Sequence, residues 1–175
     1  MITPTLDTKR IHLRPPGIED VQAVFDNWAT DPEVTRYLRW DPHANTDVTA
    51  EWLTTSIENI TGDTDYTWFT LNKENDEVFG SFGLFYNEKR AMFEVGYCMM
   101  RKYWNQGYAT EAVRAMVDFA KEALGLTKLF AMHAKENPSS GKVLEKVGFV
   151  YFEDGEYESF DGSRIFKSRN LLLEF

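Results

Sequence analysis

Residues 99–111 are the first part of the chain that suggests a binding function, because they join an apolar strand to a strongly amphipathic helix. Gly107 and Ala109 are small residues at this junction, and no acidic side chain lies between Glu94 and Glu111. A helix that begins here directs unpaired backbone N–H groups and the positive end of its dipole out of the sheet edge. This arrangement favours a phosphate group. An ordinary strand-to-helix turn is the alternative interpretation.

Glu94 is the leading candidate for proton chemistry because it interrupts the apolar run of residues 91–100. An unpaired buried carboxylate is costly, so its place in a strand requires a reason. Burial among Met92, Gly96 and Cys98 would raise its pKa, as a general base requires. An ion pair with a lysine or arginine across the sheet is the alternative.

Composition limits the class of protein. The 175 residues fit one domain, 1–175, and 43% hydrophobic with 27% charged residues is typical of a soluble globular protein. A net charge of −9 argues against a non-specific nucleic-acid binder and suits a cationic substrate. No apolar run reaches the roughly 18 residues of a membrane span, so we expect no membrane partner. One cysteine and the absence of a signal-peptide pattern indicate the cytoplasm, and three scattered histidines give no metal-ligand spacing, so no metal is expected.

Hydrophobic periodicity predicts an α+β fold of one strand, helices, three antiparallel strands, a helix, a strand, a helix and a final hairpin. The predicted strands are 9–14, 66–72, 78–86, 91–100, 128–134, 149–159 and 164–173. The predicted helices begin at Gly17, Asp31, Asp47 as N-cap, Ala109, and Asn137 as N-cap with Pro138 in the first turn.

Several segments, taken in order, resemble the GNAT acetyltransferase superfamily. They are 8–15, 31–38, Glu94-Val-Gly-Tyr97, Tyr103-Trp-Asn-Gln-Gly-Tyr-Ala-Thr-Glu-Ala112 and Asn137-Pro-Ser-Ser-Gly-Lys-Val-Leu-Glu-Lys-Val-Gly-Phe149. The branch they are most similar to contains ribosomal-protein N-terminal alanine acetyltransferases and spermidine acetyltransferases. The resemblance implies a mixed, mostly antiparallel seven-stranded sheet flanked by helices on both faces.

The resemblance also implies acetyl-CoA as co-substrate and direct transfer of its acetyl group to a primary amine. The backbone of residues 106–110 can supply the N–H groups that a pyrophosphate needs. By resemblance, the main chain of Met99 and Met100 runs along the pantetheine arm and Asn137 bonds to it. Lys142 and Arg101 are the nearest cations for the phosphates, or else solvated side chains. The implied cofactor-binding residues are Met99, Met100, Gln106, Gly107, Tyr108, Ala109, Thr110, Asn137, Ser140 and Lys142.

Two residues carry the proton chemistry in this interpretation. By resemblance, Glu94 is the residue assigned to the amine. Many members carry a tyrosine where this chain has Leu144, and leucine cannot donate a proton. Ser140, one turn earlier, is the residue that the branch offers to the sulfur; its alternative role is an ordinary helix-start serine. His133 is more typical of a packed strand histidine than of a base, and Cys98 is typical of the core.

The acceptor is the least determined part of the prediction. We expect its pocket between residues 18–60 and the final hairpin, with Tyr37, Trp40 and Trp52 as substrate-binding residues beside Glu94. An acidic cluster in the hairpin would suit a cationic acceptor, a protein N-terminus such as that of a ribosomal protein or a polyamine; a solvated hairpin face is the alternative. The cluster comprises Glu153, Asp154, Glu156, Glu158 and Asp161. A non-catalytic acetyl-CoA-binding sensor or scaffold is the alternative function, and a homodimer is left open.

Overall fold

The computed structural model describes residues 2–60 and 62–175 of the chain. Within them, eight strands form a single sheet. In chain order the strands are β1 (Leu6–Asp7), β2 (Ile11–Arg14), β3 (Asp65–Asn72), β4 (Val78–Asn87), β5 (Met92–Met99), β6 (Lys128–Ala134), β7 (Val150–Glu158) and β8 (Ile165–Glu174). Their spatial order is β1-β2-β3-β4-β5-β6-β8-β7. Among these pairs only β5 and β6 are parallel, because a helix connects them, whereas the hairpins are antiparallel.

The helices lie before the first long strand, between β5 and β6, and after β6. They are α1 (Val21–Val24), α2 (Pro32–Thr35), α3 (Thr46–Asn59), α4 (Tyr108–Glu122) and α5 (Pro138–Val147). Short 3₁₀ turns occupy Ile18–Asp20 and Arg101–Tyr103, and a π-helical turn occupies Phe25–Ala29. Asn137 caps α5 as expected, since its side chain accepts a hydrogen bond from the Ser140 N–H.

The structure corrects three details of the sequence prediction. The two-residue strand β1 makes eight strands instead of seven within the described residues. The expected helix from Gly17 is broken into 3₁₀, α and π turns, and within the π turn the Asn27 side-chain amide donates to the Val78 carbonyl at 2.6 Å. The N-cap of α3 is Asn45, whose side chain accepts from the Val48 N–H at 3.1 Å, and not Asp47.

Helices cover both faces of the sheet, and strand alternation decides which residue meets which layer. The larger core packs α4 and α5 against one face and includes Val95 and Met99 of β5. The smaller core packs α1 and α3 against the other face and includes Phe69, with Cys98 at its edge. Residues 94, 96 and 98 therefore face the α1–α3 layer, and residues 95, 97 and 99 face the α4–α5 layer.

The parallel strands β5 and β6 separate after a short contact. Their ladder consists of Glu94 opposite Phe130 and Val95 opposite Ala131, although β5 continues to Met99 and β6 to Ala134. Past this point the two strands leave a wedge open in the middle of the sheet. Strand backbone facing the wedge has no partner strand there, so it can bond to a ligand.

Candidate active site

A cavity of about 950 Å³ fills the wedge and reaches both faces of the sheet. Its walls come from the ends of β5 and β6, the first turns of α4 and α5, the loop after α2, and the tip of the final hairpin. Most of the predicted site residues lie in this one cavity. These are Tyr37, Trp40, Trp52, Glu94, Met99, Gly107, Ala109, Thr110, Asn137, Ser140 and Lys142.

The N-terminus of α4 forms one end of the cavity. Gly107 is the N-cap with φ +82°, and Asn105 before it also has positive φ, +59°, so the backbone turns sharply into the helix. The first intrahelical hydrogen bond is donated by the Glu111 N–H to the Gly107 carbonyl at 3.0 Å. The N–H groups of the preceding turn have no acceptor within the helix and, together with the dipole, can bind an anion.

Arg10 contacts three residues of this loop and of the first turn of α4. Its Nε donates to Glu111 at 2.7 Å, its Nη1 donates to the Gln106 carbonyl at 3.0 Å, and its guanidinium lies 4.0 Å from the Tyr108 ring centroid. Thr8 also donates to the Glu111 carboxylate at 2.7 Å. The negative charge of Glu111, one turn from the anion-binding N–H groups, is thus neutralised from the opposite side.

Three of the predicted cofactor-binding residues do not line the cavity. Met100 donates its N–H to the Phe79 carbonyl at 2.7 Å, so that donor is occupied within the sheet. Tyr108 is buried beneath the loop, and the Gln106 side chain bonds to the Lys102 carbonyl at 2.6 Å. Any contact of Gln106 and Tyr108 with a cofactor would therefore be made through their backbone.

Glu94 lies on β5 at the floor of the cavity, on the face toward α1–α3. Its Oε2 accepts a hydrogen bond from the Asn87 side-chain amide at 2.8 Å, and it forms no ion pair with a lysine or arginine among the described residues. Burial raises the pKa of Glu94, and Asn87, Arg39 and Arg90 only partly oppose that shift. The expected direction of this pKa shift is confirmed, and the expected alternative of a cross-sheet ion pair is not found.

Glycines beside Glu94 make room for an aromatic ring. Gly83 and Gly96 stand opposite each other in the β4–β5 ladder, and Phe85 stands opposite Glu94. A Cβ on Gly96 would lie 3.2 Å from the Phe85 ring, and one on Gly83 would overlap it. The two glycines therefore allow the phenyl ring, which is 39% exposed, to lie along the sheet next to the carboxylate.

Ser140 lies across the wedge from Glu94, with a tyrosine that the sequence interpretation did not select. The hydroxyl oxygens of Ser140 and Tyr97 are 2.9 Å apart, and the Tyr97 hydroxyl also donates toward the Ser140 carbonyl at 3.3 Å. Burial raises the pKa of Tyr97 to about 12, so its phenol stays protonated. The signal in the sequence was the odd spacing from Glu94, which places Tyr97 on the opposite face.

The remaining residues considered in the sequence analysis are Leu144, His133, Lys142 and Arg101, and they differ in their surroundings. Leu144, at the position where many superfamily members carry tyrosine, is only 1% exposed and belongs to the core. His133 Nδ1 bonds to the Ala134 carbonyl at 2.8 Å, and its ring packs on Gly141. Lys142 is exposed at the cavity rim, whereas Arg101 is ion-paired with Asp31.

The wall of the cavity on the α1–α3 side is aromatic. Trp40 and Trp52 lie 6.1 Å apart between ring centroids, and Trp52 stacks on Phe69 at 6.4 Å. Tyr37 donates its hydroxyl to the Glu136 carbonyl at 3.1 Å and so connects this wall to the start of α5. Tyr157 of β7 in turn donates to the Tyr37 carbonyl at 2.7 Å.

The tip of the β7–β8 hairpin holds the loop after α2 in place. The Phe160 N–H donates to the Arg39 carbonyl at 2.7 Å, and Arg164 donates to the Leu38 carbonyl at 3.2 Å while pairing with Asp41 at 2.9 Å. The hairpin tip therefore borders the part of the cavity in which the sequence places the acceptor.

The acidic cluster of the hairpin does not contribute to the cavity. Within the described chain, none of its five carboxylates lines the walls. The partners are Arg90 for Glu153, Lys135 for Asp154, Lys167 for Glu156, and the Ser159 and Ser163 hydroxyls for Asp161. Pairing with basic side chains and hydroxyls outside the cavity thus favours the interpretation of the cluster as a solvated hairpin face.

Cys98 is unsuited to nucleophilic chemistry. Burial raises the pKa of its thiol to about 12, and the thiolate is the reactive form.

In the described part of the chain, no group of three or more His, Cys, Asp or Glu side chains is placed to hold a metal ion. No described helix has the length and apolar character needed to cross a bilayer.

Comparison with known proteins identifies the class. Residues 10–150 match the family model of the acetyltransferase (GNAT) domain. The N-acetyltransferase p20 of Bacillus licheniformis, itself uncharacterised, is 33% identical over 148 residues, which are 83% of this chain and 82% of the relative. The chain therefore belongs to the GNAT family of acetyltransferases, and the prediction from sequence is confirmed at this level.

Solved structures share the fold at low sequence identity. Spermidine N-acetyltransferase of Vibrio cholerae, solved with CoA and spermine, has a TM-score of 0.77 and 17% identity, covering 95% of this chain and 96% of its own. The ribosomal-protein-S5-alanine acetyltransferase of Vibrio fischeri has a TM-score of 0.76 and 16% identity, covering 98% and 96%. Identities this low establish the common fold alone.

Proposed function

We propose that the protein is an acetyl-CoA-dependent N-acetyltransferase that moves the acetyl group directly to a primary amine. The observation that carries this proposal is one continuous cavity with an anion-binding helix N-terminus at one end and, at its floor, the half-buried carboxylate of Glu94 with its raised pKa. The pyrophosphate binds the first-turn N–H groups of α4, and Lys142 at the rim meets a phosphate. The bound cofactor supplies an activated thioester.

The residues divide the proton chemistry between the two faces of the sheet. Glu94 takes a proton from the amine, whose nitrogen forms a bond to the acetyl carbon as the bond from that carbon to sulfur breaks. The leaving thiolate accepts a hydrogen bond from Ser140, whose hydroxyl is oriented by Tyr97 at 2.9 Å. The thiolate then takes up a proton from water as Glu94 returns its own proton to water, so the products are an N-acetylated amine and the free thiol of CoA. Protein N-termini and small amines are both acceptors of this chemical class.

The test is release of CoA thiol from acetyl-CoA with a panel of amines, comparing wild type with Glu94→Gln. Glutamine keeps the size of the side chain and can still accept from Asn87, but it cannot accept a proton. We expect kcat/KM to fall by about 10²- to 10⁴-fold. In the wild type the rate falls as the pH decreases through the raised pKa of Glu94, and the variant loses this pH dependence.

Two results would contradict parts of the proposal. Full activity of Glu94→Gln would remove the base assignment while leaving the family unchanged. Tight binding of acetyl-CoA with no turnover on any amine would support the alternative sensor or scaffold function.

We further propose that the protein acts in the cytoplasm, because a single cysteine suits a reducing compartment. Light scattering would test whether it forms a homodimer.

A further inference from the structure

Arg39 gives the acceptor side of the cavity an unpaired positive charge. It lies half-buried in the cavity wall, and within the described residues its guanidinium forms no hydrogen bond or ion pair. The guanidinium carbon of Arg39 lies 5.4 Å from the centroid of the Tyr157 ring, a cation–π contact. Arg36 nearby is different, because it is exposed and pairs with Glu33 at 3.7 Å.

Arg39 and Glu94 form an open pair of opposite charges. They do not reach each other as an ion pair in the described structure, yet the charge of Arg39 acts on the Glu94 carboxylate across the cavity. A half-buried guanidinium without an anion is unfavourable, and carboxylates bind guanidinium in a bidentate manner. The space between the two groups therefore suits a small molecule that carries both an ammonium and a carboxylate.

Aromatic rings form the rest of this part of the cavity. Trp40 packs on His43 at 4.8 Å and faces Trp52 at 6.1 Å, while Phe85 lies along the sheet beside Glu94. Burial lowers the pKa of His43, which packs against Trp40 outside the cavity lining, so the neutral ring is favoured next to this wall. Such a wall buries an aromatic or large aliphatic group favourably.

We propose that the acceptor is an aromatic α-amino acid or a close analogue, with its amine at Glu94, its carboxylate at Arg39 and its side chain on the Trp40–Trp52 wall. This inference rests on the proposed acetyltransferase function and specifies its substrate class. The bond changes are those of the proposed reaction, and the carboxylate takes no part in them.

The same features disfavour a polyamine. A second or third ammonium would need further carboxylates, but Glu33 is paired with Arg36 and the hairpin carboxylates lie outside the cavity. A polycation would instead place an ammonium near the unpaired charge of Arg39, which costs free energy at this low polarity.

The test compares kcat/KM for L-phenylalanine, phenethylamine and spermidine with acetyl-CoA, in wild type, Arg39→Gln and Arg36→Gln. Phenethylamine matches phenylalanine except for the carboxylate. We expect wild type to prefer L-phenylalanine by about 10- to 100-fold, the size of a charge-assisted bidentate contact. Arg39→Gln removes that preference by slowing only phenylalanine, whereas Arg36→Gln, with the same loss of charge at the exposed neighbour, keeps it.

Three results would overturn the inference: equal or better use of spermidine, equal use of phenethylamine by wild type, or an equal loss for both aromatic amines in Arg39→Gln. Absence of CoA release with every amine would count against the proposed function instead. In that case equilibrium dialysis of labelled L-phenylalanine and phenethylamine against the CoA-loaded protein decides the inference. Discrimination of about tenfold that depends on Arg39 supports it, and equal binding refutes it.

Discussion

Replacing Arg10 by methionine tests how the anion-binding loop is held. Methionine keeps most of the aliphatic stem but loses the bonds to Glu111 at 2.7 Å and to the Gln106 carbonyl at 3.0 Å. It also loses the cation–π contact with Tyr108 at 4.0 Å. The loop then has fewer restraints, and the Glu111 carboxylate loses its counter-ion one turn from the N–H groups that bind the cofactor.

The size of the effect follows from exposure. A hydrogen bond to a charged group contributes about 1.5–3 kcal/mol when buried and much less at the surface. The side chains of Arg10 and Glu111 are 36% and 19% exposed, so the lower end applies. With a cation–π contribution of about 0.5 kcal/mol, the loop loses about 2 kcal/mol. We expect CoA binding to weaken by about 10- to 100-fold, since repulsion from the unpaired Glu111 adds to this loss.

The assay is isothermal titration of CoA against wild type, Arg10→Met, Glu111→Gln and the double variant. Adding Glu111→Gln to Arg10→Met removes the uncompensated charge, so the double variant should bind CoA about tenfold more tightly than Arg10→Met alone. Such recovery is the signature of two coupled residues. Arg14→Met is the matched control, because Arg14 lies four residues further on, at the end of β2, and pairs with Asp20 at 2.6 Å away from the loop. It should lower Tm and leave Kd unchanged. Equal Kd changes in Arg10→Met and Arg14→Met, or no recovery in the double variant, would refute the reasoning.

Three further predictions concern residues around the wedge. Tyr97→Phe and Ser140→Ala should each lower kcat by about 10²-fold, with no further loss in the double variant, and additive losses in steady-state kinetics would contradict a joint role. Gly141→Ala places a Cβ 2.6 Å from His133 Nε2 and should lower the free energy of unfolding by about 1–3 kcal/mol. Urea denaturation measures this change, and an unchanged midpoint would show that α5 moves to accommodate the methyl group. Cys98 is half-buried in the cavity wall, and with a thiol pKa of about 12 it should react with iodoacetamide at about pH 8 far more slowly in the native protein than after unfolding; rapid labelling of the native protein in mass spectra would contradict the raised pKa.

Local patterns of the sequence predict most of the secondary structure. The strand predicted at residues 128–134 is observed as Lys128–Ala134, and Asn137 and Pro138 start α5 as expected. These elements follow from alternation, helical spacing and capping, which are local properties. The region after Gly17 was predicted less well, because the Asn27 contact that accompanies its π turn is made to Val78, 51 residues away.

The candidate site shows the same limit. The position of Glu94 in an apolar strand was sufficient to predict a buried carboxylate with a raised pKa. The sequence could not show that hairpin carboxylates pair with basic side chains outside the cavity, for example Asp154 with Lys135, and thereby leave the cavity to aromatic rings. Arg39 was visible beside Trp40, but its lack of an ionic partner depends on the folded arrangement of distant segments.

The position of β8 between β6 and β7 has a consequence for how the protein is made. Strand β8 is an interior strand, paired on both sides, and it is synthesised after both of its neighbours. The hairpin tip that fixes residues 38–41 is synthesised more than 110 residues after them, at Phe160 and Arg164. Contacts of such long sequence separation form late. The anion-binding loop and its helix can begin to fold on the nascent chain, whereas the loop of residues 38–41 is fixed only after Phe160 and Arg164 have been synthesised.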